Sequence, residues 1–420
     1  VEDSYQQTVV WHVDDLMLTH IDPMENNKFV LHFGNLYNKE ALKPITVHRG
    51  DIHDYLGVDY SFDKKTGEAT VSQIKYVHKI LDEFPQLISG PQASPAANHL
   101  FEIRPDDDNN KKLLSETEAS QFHHAVAQLL FLCMRSRRDI QTPISFLTTR
   151  VRVPDQDDWG KLVRVLRYLD GTKHMKLRLS VDTMSIVRWW VDASYGTHHD
   201  GKGHTGMMMT LGKGATMSSS KKQKMNTKSS TESELVGVDD CISKILWTKY
   251  FIEDLGYKVE HNILFQDNKS TILLATNGRM SSSSKTKHIK ARYFFVKDKI
   301  EQGDLEVQYE PTKKMRGDMN TKPLQGQSFC DQRADLMNID SNYDDEKERL
   351  LTHPDLLPTI DLVQVNNNNI KTIASSLRSN MTTNKTNNNK TSLIGASKPL
   401  NQRRSVLGQS HLNYKTALLG

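Results

Sequence analysis

From residue 185 onward the chain orders its apolar segments in a way few folds accommodate. Three strand-like runs come first: "SIVRWWVDASY", then two within "GHTGMMMTLGKGATMSSSKKQ" around a Gly-Lys-Gly turn. "STESELVGVDDCISKILWTKYFIEDLG" follows as one long helix or a helix pair. After it come a strand in "NILFQDN", a helix start in "KSTILLAT", an amphipathic helix in "KHIKARYFFVKDKIEQG" and a strand in "DLEVQYEP". Gly317-Asp318 opens a last helical piece. Three consecutive strands and then alternating helix and strand predict an α/β unit, a mixed sheet with helices on its faces.

Four acids stand at telling points of that order. Asp192 lies inside the strand "RWWVDAS", where a buried charge is expensive. Glu234 shares a helix face with Val238, Cys241 and Ile245, whereas Glu232 lines up with Asp239 and Ser243 and faces water. Asp267 ends the strand "NILFQD", and sites in α/β sheets gather at the carboxyl ends of strands. Asp318 begins the last helical piece. Taken singly, Asp192 also reads as a strand-end residue, Asp267 as a turn residue and Asp318 as an N-cap. Taken together, four convergent carboxylates would repel one another unless hard cations lie between them. Mg²⁺ suits an all-oxygen ligand set, and two such ions about 4 Å apart activate water and stabilise the leaving oxygen in phosphodiester cleavage.

The order Asp-Glu-Asp-Asp on the first strand, first helix, fourth strand and last helix resembles ribonuclease H. The wording is narrower still. "DASYG", "SSTESEL", "QDNKS", "KHIKARYFFVKDKI" and "GDMNTKPL" resemble the ribonuclease H part of copia-type LTR retrotransposon Pol polyproteins, and "SFCDQRADLMN" resembles the end of such a polyprotein. The resemblance runs from residue 1 to about 338. It implies a ribonuclease H-like mixed five-stranded sheet over 185–325, with Asp192, Glu234, Asp267 and Asp318 as catalytic metal ligands for two Mg²⁺ ions, Mn²⁺ being an acceptable substitute. Many ribonucleases H carry a His on the loop before the last acid. Here that loop is "EPTKKMRGD" and has none; His288, in "KHIK", lies on another element and reads first as a capping or packing residue.

Substrate contacts are expected from charge. Between Lys202 and Thr231 stand six Lys and no acid; between Lys285 and Lys299, six Lys or Arg and one acid. A single charge run is an ordinary solvated face, but two runs bordering the acids predict phosphate contacts from Lys221, Lys222, Lys224, Lys228, Lys287, Lys290 and Arg292. An RNA/DNA hybrid would be recognised by groove shape and 2′-OH groups. The pairs His123-His124 and His198-His199 lack metal-ligand spacing and read as surface residues. Of Trp189 and Trp190, on alternate strand faces, at least one is core.

Upstream, "HVDDLML" resembles the reverse transcriptase palm hairpin, with His12 where the family has Tyr. It implies Asp14 and Asp15 as remnant polymerase metal ligands over residues 1–60, cut off from the further palm Asp that a polymerase needs. "HDYLGVDYSFDKKTGEATVSQIKYVHKIL", "RRDIQTPISFLTTR" and "VLRYLDGT" resemble the following thumb and connection, 61–184. Helices are expected over 73–84, over 117–149 with a break near Pro143, and over 157–169 with Gly171 as stop. From about 339 the chain turns polar and Asn-rich ("NNNN", "TTNKTNNNK"), so 326–420 reads as polyprotein end and then mostly disordered tail.

Composition narrows the setting. Three widely spaced cysteines suit a reducing compartment, and no apolar run reaches the roughly 18 residues of a membrane span. The first residues, "VEDSYQQ", are polar and lack a Met, so the chain reads as a piece of something longer, intracellular, in a cytoplasmic virus-like particle or the nucleus, beside other Pol or Gag chains. No phosphate loop, nucleophilic triad or zinc motif competes. The expectation is an endoribonuclease on RNA/DNA hybrids, joined to a reverse transcriptase piece that does not polymerise alone. The rival readings are an inactive retroelement relic that at most binds nucleic acid, and another nuclease of the same fold, such as a resolvase or a DNA integrase.

Overall fold

The computed structural model describes residues 6–37, 45–277 and 290–352. The chain opens on a hairpin, β1 (Thr8–His12) and β2 (Asp15–Thr19), then helix α1 (Pro23–Tyr37). Val13 turns the hairpin at a positive φ of 53°, uncommon for a β-branched residue. A meander, β3 (Ile52–Tyr55), β4 (Val58–Phe62) and β5 (Ala69–Ser72), leads into α2 (Ile74–Glu83).

Three helices follow: α3 (Glu116–Cys133), α4 (Gln141–Thr148) and α5 (Gln156–Asp170). Capping boxes start two of them, Ser115 with Glu118 and Asp155 with Asp158, each satisfying two backbone N–H groups that the helix itself leaves open. The break expected near Pro143 falls instead at Met134–Arg137. Pro143 sits in the first turn of α4, where a missing N–H costs nothing because that group has no intrahelical acceptor.

Strand β6 (Leu177–Val181) precedes the run that carries the acids: β7 (Ile186–Ser194), β8 (Lys202–Thr210), β9 (Gly212–Lys213) and β10 (Met217–Asn226). Then come α6 (Ser230–Asp254), one helix rather than a pair, β11 (His261–Gln266), α7 (Lys269–Asn277), α8 (Lys290–Glu301) and β12 (Glu306–Tyr309). These strands form a mixed five-stranded sheet in the order β10-β8-β7-β11-β12, antiparallel across β10, β8 and β7 and parallel across β7, β11 and β12. This is the sheet expected from the element order. A second, antiparallel sheet runs β3-β4-β5-β6-β9. Because β9 lies within the β8–β10 connection, the two sheets are tied together.

Both faces of the mixed sheet are covered, which is why "WWV" and "MMM" read as unbroken apolar runs. Val187, Trp189, Val191, Met207 and Met209 meet Val238, Cys241, Ile242 and Ile245 of α6. On the other face Trp190 and Met208 join a core that includes Leu129, Ile144 and Leu166 of α3–α5. Both tryptophans are therefore core.

After β12, Asp318–Asn320 is a three-residue 3₁₀ turn, and the next helix, α9 (Gly326–Met337), begins only after Pro323. Phe329, Leu336 and Met337 carry α9 into the same core as Trp190. The chain continues past 339 into α10 (Asp345–Thr352). Asp345 accepts from the His174 backbone N–H at 2.8 Å, and Arg178 reaches Glu348 at 2.7 Å. The Asn-rich stretch lies outside the described residues. No helix among them is long and apolar enough to cross a membrane.

Candidate functional site

The site lies where β7 and β11 end beside the start of α6. Asp192, two residues short of the end of β7, is buried opposite Gly206 of β8. By strand alternation it shares the Trp190 face. Its Oδ2 accepts a hydrogen bond from Thr321 Oγ1. A buried carboxylate needs such donors, because burial without them costs far more than the bonds return.

Glu234 is placed by the cap of α6, where Ser229 Oγ accepts from the Glu232 N–H at 3.2 Å. Glu234 is buried, and its Oε2 accepts from Gln266 Nε2 at 3.3 Å. Burial first, then the charges of Asp192 and Asp267, hold its carboxyl well above the ordinary glutamate range. Glu232 points the other way and accepts from the Lys228 N–H at 2.7 Å.

Asp267 directly follows β11. Gln266 Oε1 accepts from its backbone N–H at 2.9 Å, and its own Oδ2 accepts from Thr312 Oγ1 at 2.8 Å. Asp192, Glu234 and Asp267 each offer one oxygen, and these oxygens lie within 4.8 Å of one another.

Asp318 belongs to the 3₁₀ turn and is not part of that triplet. It stands against Asp192. Burial and the Asp192 charge push its carboxyl up to about 7, against the opposing pull of Lys322. Lys322 Nζ stands 2.9 Å from Asp318 Oδ1 and 3.4 Å from Asp192 Oδ2. The turn docks on β8 at Gly206, where a Cβ would come within 2.7 Å of Gly317 O.

Four residues that sequence reading does not single out thus serve the acids: Gln266, Thr312, Thr321 and Lys322. Gln266, Thr321 and Lys322 lie inside the quoted motifs "QDNKS" and "GDMNTKPL"; what spacing cannot tell is which acid each one meets.

A cleft of about 650 Å³ runs past Lys322 and Thr321 to Ser194, Thr197, His198 and Phe101. His198 is not a surface residue. It is buried, with Nε2 3.0 Å from His204 Nδ1, and His204 Nε2 lies 2.7 Å from Ser220 Oγ. The alternation of His204, Gly206 and Met208 on one face of β8 was the available signal.

Of the expected phosphate contacts, Lys221, Lys224 and Lys228 are exposed on or just beyond edge strand β10. Lys222 is half-buried and pairs with Asp200 at 2.9 Å, beside Lys202 at 3.2 Å. On α6, Lys244 has its ammonium pushed down, first by burial and then by Lys221. Lys287, His288 and the side chains of Lys290 and Arg292 lie outside the described residues. Asp14 and Asp15 are exposed at the β1–β2 turn, and they belong to no acid cluster among the described residues.

No family model matches the chain. It is 26% identical over 284 residues, 67% of its length, to the retrovirus-related Pol polyprotein from transposon TNT 1-94 of Nicotiana tabacum. It is 28% identical over 321 residues, 76% of its length, to that from transposon RE2 of Arabidopsis thaliana. It spans about a fifth of each: 21%. A putative transposon Ty5-1 protein of Saccharomyces cerevisiae is 28% identical over 56% of this chain and 72% of that one. Among solved structures, an RNase H1 isolated from compost aligns over 32% of this chain and 92% of its own at 14% identity. Its TM-score of 0.24 is too low to establish a shared fold.

Proposed function

We propose that this chain, a relative of the Ty1/copia-type retrotransposon Pol polyproteins, is a divalent-cation-dependent ribonuclease H that cuts the RNA strand of RNA/DNA hybrids. One observation carries the reading: the convergence of Asp192, Glu234 and Asp267 within 4.8 Å, from a strand, a helix and a strand end far apart in sequence. The mixed sheet order and the relation to Pol polyproteins support it.

The donor set fits Mg²⁺ or Mn²⁺. All ligand atoms are carboxylate oxygens, with no thiolate or imidazole among them. A cation between them would also offset the burial and the Asp192 and Asp267 charges that raise the Glu234 carboxyl. Bound there, in two sites, such ions would activate water and stabilise the leaving oxygen. Asp192, Glu234 and Asp267 would hold one ion, and Asp318 with Asp192 would serve the second.

The protein supplies the rest. Gln266 and Thr312 aim Glu234 and Asp267, and Thr321 aims Asp192. Without a cation, burial and the Asp192 charge hold the Asp318 carboxyl up at about 7, and an ion bound there would bring it down. Lys221, Lys224 and Lys228, with Lys287, Lys290 and Arg292, contact the backbone of the hybrid. Asp14 and Asp15 are read as polymerase metal ligands, and among the described residues no further acid clusters with them. Other Pol or Gag chains of the element, inside the cell, are its partners.

The test is a hybrid labelled on either strand, incubated with the full chain in Mg²⁺. Only the RNA strand should be cut, and Asp267→Asn should abolish cutting. An uncut hybrid refutes the reading; salt-dependent binding without cleavage points to the inactive relic, and cutting of DNA-only junctions to a resolvase.

A further inference from the structure

The two halves of the site are not equivalent. On one side Asp192, Glu234 and Asp267 bring oxygens together, and among the described residues no ion pair joins a cationic side chain to Glu234 or Asp267. On the other, the space between Asp192 and Asp318 already holds a positive charge. Lys322 Nζ lies 2.9 Å from Asp318 Oδ1 and 3.4 Å from Asp192 Oδ2. That position is built into the backbone. The Lys322 N–H donates to the Asp318 carbonyl at 2.9 Å, closing the turn so that the lysine side chain comes back over the acid four residues before it. Thr321, its neighbour, holds Asp192 from the same turn. Yet the Lys322 side chain is 41% exposed, and it borders the cleft lined by Ser194 and Thr197. An ammonium on a four-carbon stem can leave without moving the backbone.

We propose that Lys322 is the resident cation of the Asp192–Asp318 side. The chain therefore takes divalent ions unequally: one readily at Asp192, Glu234 and Asp267, a second only when Lys322 swings out into the cleft. This rests on the cation-site reading above and makes Lys322 a positioning residue within it. While it bridges Asp192 and Asp318, the Lys322 ammonium occupies the carboxylate oxygens that a second ion would need, so the two compete for that place. The second ion must therefore break a charge-assisted hydrogen bond, which weakens its binding by about 10- to 100-fold. A phosphate entering the cleft offers the freed ammonium another partner, so substrate and second ion would favour each other.

Mn²⁺ titration of the full chain, followed by the loss of the free-ion paramagnetic resonance signal, reads this directly and needs no turnover. The parent should bind one ion tightly and a second about 10- to 100-fold more weakly. Lys322→Met should bring the two affinities together, and Lys322→Arg should keep them apart. Melting in EDTA and in Mn²⁺ gives a second reading: Lys322→Met should be the less stable in EDTA and gain more from Mn²⁺. Equal sites in the parent, or unchanged inequality in Lys322→Met, overturn the proposal. If the inequality is unchanged but Asp267→Asn loses the tight ion, the cation site stands and only the role of Lys322 falls. If Asp267→Asn keeps the tight ion, the site reading falls, and this inference with it. Should Lys322→Met not fold, Lys322→Gln and the parent titration still decide.

Discussion

The imidazoles of His198 and His204 meet nitrogen to nitrogen at 3.0 Å inside the fold. Such a contact requires one ring to donate and the other to accept, so at least one is neutral. Burial pushes His204 down from 6.5 to about 3 and His198 to about 4. In the unfolded chain both protonate near 6.5. The folded state therefore binds fewer protons below that pH, and the stability present above it is lost as pH falls toward the folded values. Each histidine should cost about 2 kcal/mol at pH 5 relative to pH 7. Urea unfolding at the two pH values checks this, and His204→Gln should show a smaller loss than the parent.

Glu234 presents the opposite case. Without a cation its charged form is opposed by burial, Asp192 and Asp267. Glu234→Gln keeps the shape and the hydrogen-bonding capacity and removes the charge. It should melt about 2–4 °C higher than the parent in EDTA at pH 7, while losing cleavage by at least about 100-fold. A melting temperature equal to the parent's in EDTA would show that the carboxyl is not under this stress.

Gly206 decides where Asp318 stands. A Cβ there would meet Gly317 O at 2.7 Å, Thr321 Cγ2 at 2.7 Å and an Asn320 backbone carbon at 2.9 Å. Two of these are backbone and cannot rotate away. Gly206→Ala should lift the turn off β8, destabilise by about 1–3 kcal/mol and reduce hybrid cleavage more than hybrid binding. Unfolding and single-turnover cleavage, measured together, separate the two effects.

The basic edge should register as a salt effect. Replacing Lys221, Lys224 and Lys228 together by Gln should weaken hybrid binding at low salt. It should also flatten the log–log salt dependence by about one unit for each phosphate that is no longer neutralised. Fluorescence anisotropy across a salt series tests it. A parallel line, weaker but equally steep, would assign these lysines no role at the phosphates.

Much of the fold is legible in the sequence for a physical reason. Strand and helix periods are local, so "RWWV", "MMM" and the Glu234 face declare themselves, as does the mixed sheet implied by element order. The break in the helical region lies elsewhere than expected because Pro143 reads as a helix breaker until its place in a first turn is known. His198 reads as a surface residue because a loop histidine has no periodicity to show that a strand histidine waits beneath it.

Sequence alone determined which residues carry charge, which segments are apolar on one face or both, and the order of the four acids. Those are properties of neighbours along the chain. Tertiary structure decided which acids meet: Asp192, Glu234 and Asp267 converge, while Asp318 meets Asp192 alone and shares Lys322 with it. It also supplied the donors Gln266, Thr312 and Thr321. Separations of a few ångströms between residues tens to more than a hundred positions apart depend on strand register and on the docking of a short turn against Gly206. Both are set by the packing of the whole core.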